Sequence, residues 1–148
     1  MSAQIQNSVA GFNALDISAS ALRAQRTRLD VIASNLANAE STRTQNGGPY
    51  RRQMVVFEAL MGAAPGTSER VGNGVRVSSV ATDQRPPIAL HMPGHPDADA
   101  NGNVLLPDIR PAEEMTDLLT ASRAYEANLA AFKIGRSMFQ KALELGRG

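Results

Sequence analysis

Residues 15–36 read LDISASALRAQRTRLDVIASNL, with a leucine at every seventh position: Leu15, Leu22, Leu29 and Leu36. Further apolar residues flank this row at Ile5, Phe12, Ile32 and Ala33. Apolar side chains at this spacing form a seam along one side of a helix. The stretch therefore predicts one amphipathic helix over residues 3–40, ending near Asn38–Thr44.

The C-terminal end of the chain carries a second seam of the same kind. An apolar or aromatic residue recurs every seven positions at Leu118, Tyr125, Phe132 and Phe139, and Met115, Leu129 and Leu143 are interleaved. Pro111, Glu113, Glu114 and Asp117 are typical of a helix start, where proline fits the first turn and acids favour the helix dipole. Gly146 fits a C-cap, so the helix is predicted to end at about Leu145.

All eight prolines lie between Pro49 and Pro111, which excludes a long helix from the middle of the chain. Strands are predicted at Tyr50–Leu60 and at Gly74–Thr82, where Val75 and Val77 alternate with polar residues. Glycine and proline predict a loop at Met61–Asn73, and proline predicts extended loop or a short edge strand at Arg85–Pro111.

These patterns predict an α+β fold in which the two long terminal helices pair as an elongated, coiled-coil-like hairpin. Residues 1–40 and 112–148 would form the helical core, and 41–111 a small β-containing, Pro/Gly-rich insert on the outer side. A lone hairpin would leave apolar, alanine-rich surface exposed, so self-assembly is expected. The predicted assembly seam comprises Leu15, Leu22, Leu29, Ile32, Leu36, Met115, Leu118, Tyr125, Leu129, Phe132, Phe139 and Leu143.

Composition and charge exclude several classes of function. The net charge of +1 is spread evenly, so no basic face for nucleic acid stands out. Without cysteine, neither a disulfide nor a thiolate metal site is possible. No apolar run reaches the length of a transmembrane helix, and the N-terminus lacks the pattern of a cleaved signal peptide. We expect any export to use another route.

The sharpest local motif is residues 97–104, DADANGNV, followed by Asp108. It matches the first half of an EF-hand calcium loop, but Asp108 replaces the usual glutamate, and Pro93, Pro96 and Pro107 oppose the flanking helices. The preferred interpretation is an Asx-rich turn whose side chains bond their own backbone. A small calcium-binding regulatory module using Asp97–Asp108 is the alternative function.

No catalytic, cofactor-binding or metal residue is predicted. His91 and His95 have the spacing of metal ligands on a helix, but Pro93 lies between them, and an anchor at His95-Pro96 is preferred. No nucleophile motif such as G-x-S-x-G and no phosphate loop is present. Glu113 and Glu114 are interpreted as partners of the helix dipole. An enzyme with a small-molecule substrate is therefore not expected.

Residues 29–42, LDVIASNLANAEST, resemble the signature of flagellar rod and hook axial proteins. Arg43-Thr44, residues 47–53 (GGPYRRQ), 93–99 (PGHPDAD), Glu114-Met115 and 121–128 (ASRAYEAN) resemble one proximal-rod branch of that family. The resemblance covers roughly residues 8–146. Its motif residues include Asn35, Asn38, Pro49, Tyr50, Arg51, Arg123, Tyr125 and Asn128.

The resemblance implies a structural subunit of the bacterial flagellar basal body, in the periplasm-spanning rod that transmits torque for motility. It implies export through the flagellar type III apparatus without a cleaved signal, and neighbours among other rod proteins and the inner-membrane ring. It implies no cofactor. A helical export adaptor remains a third hypothesis beside this structural subunit and the calcium module.

Overall fold

The computed structural model describes the backbone of residues 2–45, 47–63 and 70–146, and the side chains of 14–45, 47–62 and 72–146. Within these residues the chain runs through two helices and four strands. They are α1 (Ser2–Ala37), β1 (Gln53–Ala63), β2 (Arg70–Thr82), β3 (Ile88–His91), β4 (Asn103–Leu106) and α2 (Pro111–Leu145). The predicted α+β class is confirmed. The seam positions Ile5 and Phe12 lie outside the described side chains.

Both long helices form where the sequence predicted them. α1 ends at Ala37, because Asn38 turns the chain: its Nδ2 donates to the Ser34 carbonyl at 2.9 Å, and its Oδ1 accepts from the Ser41 hydroxyl at 3.1 Å. α2 begins at Pro111, a residue whose missing N–H costs nothing in the first helical turn.

The loop predicted at Met61–Asn73 is wrong at both ends. Met61–Ala63 belongs to β1 and Arg70–Asn73 to β2, and the two strands pair in one sheet. A Cβ added at Gly62 would lie 3.4 Å from that of Asn73, so the two residues are cross-strand neighbours. Strand pairing here outweighs the weak strand preference of glycine. Residues 64–69 of the predicted loop lie outside the described part.

The rest of the β prediction agrees with the structure more closely. Val75 and Val77 are half-buried while Arg76 and Ser78 are exposed, as the alternation predicted. The short edge strand expected within Arg85–Pro111 is β3. It pairs antiparallel with β4, with Ile88 opposite Leu106 and Leu90 opposite Val104, and the Val104 side chain is buried.

The chain divides into two compact units. Unit 1 comprises Met1–Thr27, Phe57–Ser78 and Ala121–Gly148, and unit 2 comprises Arg28–Val56 and Ser79–Thr120. Each unit contains part of α1, part of α2 and strand residues. The domain boundaries inferred from the sequence, 1–40 with 112–148 and 41–111, stay a prediction.

Candidate functional site

A buried ion pair lies at the centre of unit 2. Glu114, in the first turn of α2, is only 1% exposed, and its Oε1 accepts a hydrogen bond of 2.6 Å from Nε of Arg52. Burying a carboxylate is costly unless it is paired and hydrogen-bonded. Glu114 therefore joins the start of α2 to the residue before β1. Its place in the first helical turn agrees with the dipole partnership expected from the sequence, and the ion pair is an additional role that the sequence did not predict.

Asp117 extends this pairing toward α1. Nη2 of Arg52 lies 3.6 Å from Asp117 Oδ2, and Nη2 of Arg28 lies 3.5 Å from Asp117 Oδ1. Within unit 2, two arginines and two acids thus connect both helices to the chain before β1. Asp117 is about two-fifths exposed, so its pairs are screened by solvent and contribute less than the buried pair.

Asn35 is the second buried polar residue of this cluster, at 1% exposure. Its amide bonds both backbone groups of Gln53: Nδ2 donates to the carbonyl at 2.8 Å and Oδ1 accepts from the N–H at 2.9 Å. Nδ2 also donates to Glu114 Oε2 at 3.2 Å, and the Tyr50 hydroxyl donates to Oδ1 at 3.2 Å. The amide imitates a neighbouring strand and anchors the start of β1 to α1. We call Asn35, Tyr50, Arg52, Glu114 and Asp117 the polar cluster.

The loop between β3 and β4 is tied to the segment after α1. Oδ2 of Asp97 accepts a 2.7 Å hydrogen bond from the Thr42 hydroxyl, and its Oδ1 lies 3.6 Å from Arg43 Nη2. The Nδ1 atom of His95 accepts from the Asp97 N–H at 3.1 Å. This bond agrees with the interpretation of His95 as a residue that anchors the loop, which the sequence analysis preferred to a metal ligand.

The Asx-turn interpretation of residues 97–104 matches the geometry at Asp99. Its Oδ1 accepts hydrogen bonds of 2.8 Å from the N–H groups of both Asn101 and Asn103. Gly102 has φ +77°, a conformation that glycine adopts without strain. The residues with side chains in the structure show no group of three or more acids, histidines or cysteines arranged for a metal. Nothing observed favours the calcium alternative.

An exposed ion cluster surrounds Arg85. Its N–H donates to Asp83 Oδ1 at 3.0 Å, its Nε donates to Asp83 Oδ2 at 2.8 Å, and its Nη1 lies 2.8 Å from Asp108 Oδ2. The backbone N–H of Arg85, and then its guanidinium, lower the pKa of Asp83 below the ordinary value of 3.8. The bond to Asp83 raises the pKa of Arg85.

The predicted seam positions share an intermediate environment. Most are half-buried: Leu15, Leu22, Leu29, Leu36, Leu118, Tyr125, Leu129, Phe132 and Phe139. Ile32 is buried, and Met115 and Leu143 are more than half exposed. These positions therefore retain apolar surface. Their role in assembly stays a prediction.

A second apolar face lies on the part of α2 in unit 1, and the heptad analysis missed it. Ile134, Met138 and Leu145 are 61%, 67% and 84% exposed, and Ala127 and Ala131 are exposed as well. At 100° per residue these five positions fall within one side of the helix. The spacing of Ile134, Met138 and Leu145 is a sequence signal for such a face, but the heptad row on the other side of the helix is longer and was the one detected. We call these five residues the outer face of α2.

The remaining family-motif positions have mixed surroundings. Pro49 is half-buried, and Arg51 and Arg123 are exposed. The side-chain amide of Asn128 donates to the Ala124 carbonyl at 2.8 Å within α2. The resemblance motifs contain Asn35, Tyr50, Arg52 and Glu114, but the sequence did not predict that these side chains pair with one another. Two adjacent arginines within the predicted strand were the available signal, since strand alternation directs one of them inward.

Comparisons with known proteins support one family. A family model described as "Flagella basal body rod protein" matches residues 15–43, and one described as "Flagellar basal body rod FlgEFG protein C-terminal" matches residues 101–145. The first includes Asn35, and the second includes Glu114 and the outer face of α2.

Curated relatives match nearly the whole chain. The flagellar basal-body rod protein FlgC of Bacillus subtilis is 42% identical over 147 residues, covering 92% of this chain and 98% of the relative. The FlgC proteins of Salmonella typhimurium and Aquifex aeolicus are 45% and 43% identical, covering 91% and 90% of this chain and 97% and 95% of the relatives. Neither described helix is long and apolar enough to cross a membrane.

Proposed function

Because the chain belongs to the FlgC family of flagellar basal-body rod proteins, we propose that it builds the proximal rod through its terminal helices. Members of this family are structural components of the basal body, and the chain is a structural rod subunit and not an enzyme. The finer proposal concerns how the subunit assembles into a tubular drive shaft.

The outer face of α2 is the observation that carries this proposal. The opposite side of the same helix holds Tyr125, Phe132 and Phe139, which are half-buried within the chain. A helix that is apolar on both sides is typical of an element buried on both sides. Exposed apolar surface of this kind marks a protein–protein contact, and in a rod subunit the neighbour is another subunit.

Contacts between α1 and α2 within each unit support the coiled-coil-like pairing. In unit 1, a Cβ added at Gly135 would lie 3.2 Å from Cδ2 of Leu15, a close approach that glycine permits. In unit 2, Arg28 contacts Asp117 and Asn35 contacts Glu114, so the numbers fall in α2 as they rise in α1. This order is that of an antiparallel pair. We propose that the heptad rows continue it as an elongated hairpin, with residues 41–111 as the outer insert.

Family membership supports the remaining parts of the proposal. The subunit would lie in the periplasm-spanning rod, contact other rod proteins and the inner-membrane ring, and transmit torque. It would reach that place through the flagellar type III export apparatus, without a cleaved signal.

A matched pair of α2 variants tests the assembly proposal in cells that lack the native copy. Met138→Asp places a charge on the outer face, and Gln140→Asp places the same charge at an exposed polar position two residues away. We expect Met138→Asp to abolish swimming and to leave no complete rod in purified basal bodies, while Gln140→Asp supports both. Normal rods with Met138→Asp would contradict assembly through this face.

A further inference from the structure

Arg51 differs from every other arginine of unit 2. The others each pair with a carboxylate of the same chain: Arg28, Arg43, Arg52, Arg85 and Arg110. The exposed Arg51 side chain makes no ion pair or hydrogen bond with the residues that the structure describes. Unit 2 therefore presents one arginine whose charge is not compensated by any residue that the structure describes.

The acids near Arg51 do not compensate it. Asp83 and Asp108 line a small cavity together with Arg51, and both are bound to Arg85. The Tyr50 N–H donates to the Ser41 carbonyl at 3.0 Å, which brings the stretch containing Glu40 beside Arg51. Even so, no ion pair joins Glu40 to Arg51 among the described residues.

Arg51 also lines an open cleft of about 480 Å³ in unit 2. The other polar groups that line it in the described part of the chain are neutral, and none is a carboxylate; they belong to Thr44, Gln45, Tyr50, Gln53 and Thr82. A guanidinium surrounded by hydroxyl and amide groups matches the geometry of a carboxylate, which accepts paired N–H bonds. The cleft is larger than one carboxylate and has room for part of a polypeptide segment.

We propose that this cleft receives an Asp- or Glu-bearing segment of a neighbouring rod subunit. The inference rests on the proposed function, since only an assembled rod supplies such a neighbour. It adds a second, polar contact in unit 2 to the apolar contact proposed for the outer face of α2. Arg51 would act mainly in specificity and register, as charged groups do at protein interfaces.

Site-specific photo-cross-linking in flagellated cells tests the proposal. p-Benzoylphenylalanine replaces Gln45 at the cleft, so that Arg51 is retained, and adducts are identified by mass spectrometry. The same probe at Ile134 reports contact through the outer face of α2 and serves as the measure of rod assembly. We expect the Gln45 adduct to join a rod subunit through a peptide containing Asp or Glu.

Charge variants then test the dependence on Arg51. Relative to the Ile134 adduct, Arg51→Glu is expected to reduce the Gln45 adduct at least about tenfold, and Arg51→Gln to reduce it less. Arg110→Glu is the matched control, because Arg110 is exposed and its one ion pair among the described residues is with Glu113, three residues away. This variant should leave the adduct within about twofold. Circular dichroism of the purified variants checks that each is folded.

The outcomes separate this inference from the proposed function. A normal Ile134 adduct with a Gln45 adduct that is absent, insensitive to Arg51→Glu, or formed with a protein outside the rod would overturn the inference alone. An adduct peptide without Asp or Glu would do the same, and would indicate a neighbour of different chemistry. Complete rods in cells lacking the chain would overturn the proposed function, and this inference with it.

Discussion

Unit 2 buries large and polar side chains, whereas unit 1 buries small ones. In unit 2 the buried residues include Val31, Ile32, Val104, Ile109, Asn35 and Glu114. Among the described side chains of unit 1, the buried ones are Ser20, Ala24 and Ala121. Burying a Val or Ile side chain contributes about 1.5–3 kcal/mol, and alanine much less. Among the side chains that the structure describes, most of the stabilising burial therefore lies in unit 2.

The described part of unit 1 also has an unpaired buried polar atom and exposed apolar side chains. Gln25 Oε1 is buried without a hydrogen-bond partner among the described residues, and an unmet buried acceptor costs about 1–3 kcal/mol. The two most exposed large apolar side chains of α2, Met138 and Leu145, also lie in this unit, on the outer face of α2. The comparison teaches that one sequence can encode a part that is stable alone and a part whose core is completed by neighbouring subunits. We expect unit 1 to gain its stability on assembly.

The largest expected effect comes from breaking the buried pair of unit 2. Arg52→Ala leaves the Glu114 carboxylate buried and uncompensated, so we expect a loss of about 3–5 kcal/mol in the free energy of unfolding. Arg51→Ala is the control, because its exposed side chain makes no ion pair or hydrogen bond with the described residues, and it should cost less than about 0.5 kcal/mol. Urea denaturation of the purified chain measures both. Equal losses would mean that the polar cluster is not what holds unit 2.

One isoleucine in each unit gives the next comparison. Ile109 in unit 2 is 8% exposed, and Ile109→Ala should cost about 2–4 kcal/mol in the isolated chain. Ile134→Ala in unit 1 should cost less than about 0.5 kcal/mol there, because that side chain is already exposed. The order should reverse for the amount of rod assembled, when that amount is divided by the amount of folded subunit in the cell. By that measure Ile134→Ala should reduce assembly more than Ile109→Ala. A large destabilisation of the isolated chain by Ile134→Ala would contradict the comparison.

Two glycines of β2 test whether the contact between β2 and Ser20 of α1 stabilises unit 1. Gly74 has φ +122°, and a Cβ there would lie 2.5 Å from Ser20 Oγ, which also accepts a hydrogen bond from the Val75 N–H. Gly74→Ala should therefore cost about 1–3 kcal/mol. Gly72→Ala, where the added Cβ meets nothing within 4 Å, should be nearly neutral. Thermal unfolding of the two variants measures the difference, and identical midpoints would show that β2 is not held at Ser20.

The smallest effect concerns Asp83, whose pKa is lowered in the folded chain. A lowered carboxyl pKa adds stability at pH above the unfolded value of 3.8, and this stability is lost as the pH falls through the folded pKa. Because the side chain of its partner Arg85 is exposed, solvent screens the interaction and the change in stability should be slight. Arg85→Ala removes the guanidinium but keeps the backbone N–H, so NMR titration should show the Asp83 pKa rising only part of the way toward its ordinary value. An unchanged titration would mean that the Arg85 guanidinium does not interact with Asp83 in solution.

Local sequence patterns predicted the helices because the start and end of a helix depend mainly on residues close to it in sequence. Pro111 begins α2, Asn38 follows the end of α1, and the absence of proline leaves both ends free to be helical. The start of β2 was missed since Gly72 disfavours a strand locally, and only pairing with β1 forms it. The ion pair of Glu114 was missed for the same kind of reason. Its partners Arg52 and Asn35 are 62 and 79 residues away in sequence, a distance that no local pattern spans.

The candidate assembly surfaces were predictable only in part. The heptad rows correctly indicated the sides of both helices that are half-buried. The degree of burial at each position could not be predicted, because it depends on which side of the helix faces the rest of the chain. The outer face of α2, with Ile134 and Met138, became visible only once exposure was known. Arg51 was named as a motif residue from the sequence. That it has no ion-pair partner among the described residues became visible only in the structure, where every other arginine of unit 2 has one.

Amide hydrogen exchange on the isolated, dilute chain tests the central claim most directly, because protection reports local stability. We predict strong protection of backbone amides in residues 28–37 of α1 and 111–120 of α2, and weak protection in 14–27 and 121–145 of the same two helices. On assembly into rods, the weakly protected segments should become as protected as the others. Equal and strong protection along the full length of both helices in the isolated chain would contradict the account.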